Sequence, residues 1–224
     1  MTSGIAINRI KQALEKQDSE FNANLNLFDI EDALDKAQND WFRRQIHGGN
    51  QYREGSEESL MRVDDFQFLI MERSLNVKKS SLYSESDTIP SNYRYYNRLN
   101  VFATKGDCTN TIIPSLLIEN HNVNDYLVNY NFSPSFDFEQ CFHVILNNKI
   151  RIYHNGDFDV NKIILSYYRD PSKLLTDKNN WDYPWEWKDD VAEVIIDEAI
   201  KILAGQIEHT TAFQLSNQRV ESNN

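Results

Sequence analysis

Cys108, Cys141 and His143 are the residues of this sequence whose types first suggest chemistry. Cys141-Phe-His143 would put two metal-capable side chains on one face of an extended segment, because strand side chains alternate. A structural zinc site needs a second closely spaced ligand pair, and the sequence offers none, so no metal is expected. Cys141 also lies within the apolar run CFHVIL, where a free thiol behaves as a small hydrophobe. Cys108 stands in the turn-like KGDCTN and reads as accessible. A cysteine nucleophile needs a base within hydrogen-bond reach, and nothing local brings a histidine to it. Asp157 and Asp159, in GDFD, offer carboxylates for a divalent ion. The remaining oxygen ligands and the terminal Glu of a calcium loop are missing, so the pair reads as a solvated hairpin tip. Asp64–Asp65 and Asp189–Asp190 suit helix N-termini, where anions are favoured. There is no G-x-S-x-G, H-E-x-x-H, G-x-G-x-x-G or G-x-x-x-x-G-K-[ST]. No catalytic residue and no cofactor-binding residue is expected.

The aromatic stock is a second signal, with 12 Phe, 11 Tyr and 4 Trp. Three of the four tryptophans fall in WDYPWEW, inside a long connection without periodicity. Trp181, Trp185 and Trp187 suit either a lid over the chain's own core or an arm that docks on a partner. With Val191, Val194 and Ile202 of the following helix they form the candidate subunit or partner interface. A base-stacking platform would bring Lys and Arg along the backbone, and few lie nearby.

The elements that must position these residues follow from periodicity. Ile7, Ile10 and Leu14 predict a helix over about 3–17. Ile30, Ala33, Leu34, Ala37 and Trp41 predict another over about 29–46, stopped by Gly48–Gly49. Residues 50–59 read as loop, 60–77 as a short helix entering a strand, and 78–92 as loop. Strands are expected over 93–104 and 115–120. The runs 140–146, 149–154 and 160–168, joined by Asn147-Asn148 and Asn155-Gly156, predict a three-stranded antiparallel meander ended by Pro171. A last helix over about 190–215 opens on the capping-box-like Asp190-Val-Ala-Glu193. Ala192, Ile195, Ile196, Ala199, Leu203 and Ile207 form its main apolar face, widened by Val191, Val194, Ile200 and Ile202. A helix that apolar needs cover on two sides, from its own bundle or from another subunit. The polar tail 216–224 would order against a partner. The expected fold is α+β: N- and C-terminal helices forming a bundle, with an antiparallel β section inserted between them. Its parts are 1–59 (helical), 60–170 (β-rich), 171–188 (Trp-bearing arm) and 189–224 (helix and tail).

Composition narrows the function classes. The chain has 224 residues, is 40% apolar and 25% charged, and so is long and apolar enough to bury a core. It holds no continuous apolar run of membrane-spanning length, and its start lacks a secretion-signal pattern. Two cysteines predict a reducing compartment, not a disulfide scaffold. Lys plus Arg is 23 against 34 Asp plus Glu, a net charge of −11. A protein that grips nucleic acid from outside needs clustered cations, and here Arg43–Arg44 and Lys78–Lys79 stand isolated. A negative surface suits one that DNA must pass without sticking.

Several segments together carry a family resemblance: WFRRQIHGG, then IPSNYRYYNRLNVFA followed by GDC, DYLVNYNFSPSFD, ILNNKIRIYHNG leading into KIILSYYRDPSKL, and DDVAEVIIDEAIKILAGQIEHTTAFQ. Across about 25–215 the chain resembles head-to-tail adaptor, or connector ring, proteins of short-tailed crAss-like bacteriophages that infect Bacteroides. The resemblance implies a homo-oligomeric ring below the capsid portal, twelvefold to match it, in the virion after assembly in the host cytoplasm. It implies as partners further copies of the chain, the portal and other tail or ring proteins, with double-stranded DNA passing non-specifically through the lumen and no membrane. It transfers no catalytic residue. The alternatives are a small carboxylate- and histidine-dependent hydrolase or lyase built on Asp157, His143 and Cys108, and a virion assembly chaperone.

Overall fold

The computed structural model of the chain describes residues 1–15, 26–47, 65–174 and 183–206. The chain divides into two compact units, Met1–Gln67 with Pro171–Asn224, and Phe68–Asp170.

The first unit is helical. α1 spans Ser3–Glu15, α2 Leu27–His47 and α4 Asp189–Gln206, and both α1 and α2 pack on α4. Each helix forms because its apolar residues recur on one face. α1 buries Ala6, Ile7, Ile10 and Leu14, and α2 buries Ile30, Ala33, Leu34, Ala37 and Trp41. Asp189 and Asp190 in the first turn of α4 complement its dipole. The connection 170–188 was open between lid and arm. Trp187 is buried, donates its indole N–H to Gln38 Oε1 at 3.2 Å and meets Trp41 edge-on with ring centres 5.1 Å apart. Trp185 is buried as well, and its backbone N–H donates to the Met1 carbonyl at 2.9 Å. The stop at Gly48–Gly49, the loop 50–59, Asp64, Trp181, the helix beyond 206 with Ile207 and the tail 216–224 lie outside the described residues.

The second unit corrects the expected fold class. The protein is a mixed α+β chain with a closed seven-stranded β-barrel and only four helices among the described residues. It is not a terminal helical bundle flanking an antiparallel section. The strands are β1 Ile70–Lys79, β2 Tyr83–Ser86, β3 Tyr93–Lys105, β4 Cys108–Leu117, β5 Cys141–Leu146, β6 Lys149–Tyr153 and β7 Asp159–Arg169. Around the barrel they run β1-β2-β6-β5-β4-β3-β7, and β7 closes onto β1. Every neighbouring pair is antiparallel except β4 with β5. That pair needs a crossover, supplied by residues 118–140 with the short helix α3, Val123–Val128.

The predicted meander is corrected too. β5 and β6 pair through the Asn147-Asn148 turn, whose residues both have positive φ (49° and 59°). β6 and β7, however, are not neighbours. The N–H groups of His154 and Asn155 donate to the Leu82 carbonyl, and β2 takes the place beside β6. β7 instead pairs along its length with both β1 and β3. Inward positions fill the barrel: Leu99, Val101 and Ala103 from β3, Ile150 and Ile152 from β6, and Val160, Ile163, Leu165 and Tyr167 from β7. The step of three from Val160 to Ile163 breaks the period of two where the β3–β7 register shifts.

Candidate functional site

One buried polar pair of the barrel spans a short lateral contact. β4 and β5 share only three partner pairs, Ser115 with Cys141, Leu116 with Phe142 and Leu117 with His143. Across this contact Ser115 Oγ lies 2.8 Å from His143 Nδ1. His143 is fully buried, and its Nε2 has no hydrogen-bond partner. The Tyr96 ring packs beside it with centres 5.2 Å apart. Burial pushes the His143 imidazole down to about 3, Cys141 up to about 11 and Tyr96 up to about 12. All three are therefore neutral at pH 7, and the thiol is not a thiolate nucleophile.

The structure does not bring the candidate chemical residues together. Cys108 is exposed at the start of β4. Asp157 accepts a 2.8 Å bond from Lys105 Nζ and another of 2.8 Å from the Phe136 N–H. Burial alone would raise its carboxyl, but these two donors outweigh that and hold it below its ordinary value. Asp159 pairs with Lys79 at 3.2 Å. Asp157 is thus a pin between the β3 end and the crossover, and His143 is a core group. Among the described residues no cluster of three or more His, Cys, Asp or Glu side chains is placed to hold a metal ion. No described helix is long and apolar enough to cross a membrane.

Of the candidate interface residues, Trp185, Trp187 and Val191 are buried within the chain itself. Val194 and Ile202 are half-buried, and Trp181 lies outside the described residues. The apolar excess of α4 is covered at Val191, Ile195, Ile196, Ile200 and Leu203. Its cover comes from the helices of its own unit.

Phe28, Leu82, Ile112 and Leu116 are each more than half exposed, and the sequence reading missed the most exposed apolar stretch among the described residues. It lies on the crossover, where Val128 is 86% exposed, Tyr130 85%, Phe138 73% and Phe132 47%. This segment is tied down at both ends. The Ser133 N–H donates to the Asn129 carbonyl at 2.8 Å, Gln140 Nε2 to the Asn131 carbonyl at 3.2 Å, and Ser135 and Gln140 exchange backbone bonds. Phe136 packs into the barrel core. The segment therefore presents its rings in a fixed arrangement. Its signal in the sequence was DYLVNYNFSPSFD, six apolar residues without a core period. A second feature is a cleft of about 610 Å³ beside β1, β2 and β6, lined by Lys78, Lys79, Ser80, Thr88 and Lys149 together with Glu85 and Asp87. No protein-family model matches this chain, and no curated protein matches it.

Proposed function

We propose that the protein is a structural subunit of a homo-oligomeric ring in the head-to-tail connector or tail of a short-tailed bacteriophage, docking below the portal around the DNA path. The observation that carries this reading is the rigidly held apolar crossover on the barrel. Monomeric proteins rarely leave such rings in water unless something covers them. The charge supports it as well. The helical unit holds 13 Lys and Arg against 23 Asp and Glu, while the barrel unit holds 10 against 11. The acidity of the chain is concentrated in one unit, which suits a surface that DNA passes without adhering. The hydrolase reading loses support because Asp157, His143 and Cys108 are each committed or placed apart. α4 offers no such surface at Val191, Ile195, Ile196, Ile200 and Leu203, which its own unit covers. Electron microscopy of purified virions tests the proposal. A closed ring of this chain against the portal is expected, and virions in which the chain is absent or forms no ring would refute it.

A further inference from the structure

The exposed crossover and the lysine-lined cleft are two different patches on one barrel, and a closed ring needs two different patches on each subunit. From this, resting on the ring reading above, we infer that the crossover of one copy docks on the β1–β2–β6 face of the next copy's barrel. Charge selects the occupant. The crossover rings are flanked by Asp125 and Glu139, both exposed and without an ion-pair partner among the described residues. On the cleft side, Lys149 pairs with Glu85 at 3.0 Å and Lys79 with Asp159 at 3.2 Å. Lys78 is exposed and has no such partner among the described residues. Asp87 on this face is exposed and unpaired among the described residues too, but Glu85 serves Arg151 at 3.7 Å as well as Lys149. Lys78, Lys79, Lys149 and Arg151 thus outnumber Glu85, Asp87 and Asp159 by one, and the acid-flanked knob meets a face with one excess cation. Contacts made through the helical units would set ten excess negative charges against ten, whereas barrel against barrel meets almost no net repulsion. The pinned segment also loses little conformational entropy on docking, because its backbone is already fixed.

The test uses the full chain with two variants, Phe138→Ala in the knob and Lys78→Glu with Lys149→Glu in the acceptor. All three sites have side chains at the surface or half-buried, and far-UV circular dichroism with thermal melting checks that each variant folds like the parent. Sedimentation velocity reads association. Each variant alone should associate on the order of 100-fold more weakly than the parent, as truncating an interface centre does. A mixture of the two retains one intact knob and one intact acceptor per pair, and should recover pairs but no larger species. Variants that assemble like the parent would overturn this contact while leaving the ring reading in place. Pairs that form in the mixture, when the parent with portal never closes a ring, would uphold the contact and overturn the ring. A parent chain that stays monomeric alone and with portal overturns both. A virion map with a different protein seated on the crossover overturns the contact alone.

Discussion

His143 makes barrel stability depend on pH in a way that can be worked out beforehand. The imidazole is fully buried and has no charged neighbour; burial alone depresses it to about 3. In the unfolded chain it titrates near 6.5. Above pH 6.5 both states are neutral and the group adds no pH dependence. As pH falls from 6.5 towards 3, the unfolded chain takes up a proton that the folded barrel refuses, and stability is lost. Each pH unit in that window is worth about 1.4 kcal/mol, so the loss amounts to roughly 3 kcal/mol at pH 4. The perturbation is His143→Leu, which removes the titrating group and keeps an apolar occupant. All the tryptophans lie in the helical unit. Tryptophan fluorescence in urea therefore follows that unit, and far-UV circular dichroism adds the barrel. Between pH 7 and pH 4 the parent barrel should lose about 3 kcal/mol more than the variant. His154, also buried and lowered chiefly by burial, contributes in the same sense in both proteins and cancels. Equal losses in parent and variant would refute the argument, because they would mean that the ring is hydrated or partnered in the folded barrel.

Two further outcomes follow from buried partners in the helical unit. Among the described residues, Arg44→Ala leaves Glu198, which is 7% exposed and 3.4 Å from the guanidinium, with only the more distant Lys201 at 3.9 Å. The expected destabilisation is about 2–3 kcal/mol by urea unfolding, and the double variant with Glu198→Leu should recover most of it. Trp187→Ala removes the ring packed on Trp41 and leaves Gln38 Oε1 without its indole donor, and should cost about 3–5 kcal/mol in the same assay.

The helices α1, α2 and α4 were legible because their apolar residues recur with the helical period. β3, β5, β6 and β7 were legible from aromatic and branched residues in short runs. β2 was not. Tyr-Ser-Glu-Ser has little strand propensity of its own and sits among serines; its neighbours β1 and β6 make it a strand. The first half of β4 was hidden by Pro114, which reads as a break. Pro114 stands opposite Asn100 of β3, and β5 joins only from Ser115 onward, so the side of β4 away from β3 has no strand partner at Pro114. Closure itself rests on β1 with β7 and β2 with β6, pairings far apart in sequence that no local pattern encodes. The same holds for the candidate site. Tyr130 and Phe138 read like core aromatics until the barrel is built, when Phe136 packs on the barrel core and Tyr126 beside Phe142 while those two stay exposed.

Closure has a consequence for how copies can meet. An open sheet of this size would offer a strand edge, and edges pair indiscriminately through their backbone groups. Here every strand has two neighbours, although β1 meets β2 only from Val77, β3 meets β4 only from Leu99, and β4 meets β5 only from Ser115, the last stretch being blunted by Pro114 and by Asn110, whose φ is +58°. Closure therefore shortens the free backbone edges to these stretches and leaves side chains as the main means of association. Those on the barrel include aromatic rings between two free carboxylates on the crossover, lysines along β1, β2 and β6, and the exposed Leu82, Ile112 and Leu116. Backbone pairing would let any extended chain dock, whereas a fixed knob with its own charge pattern accepts only a face that matches in shape and sign. That selectivity is what a ring of defined size requires, since each added copy must repeat the same rotation until the circle closes.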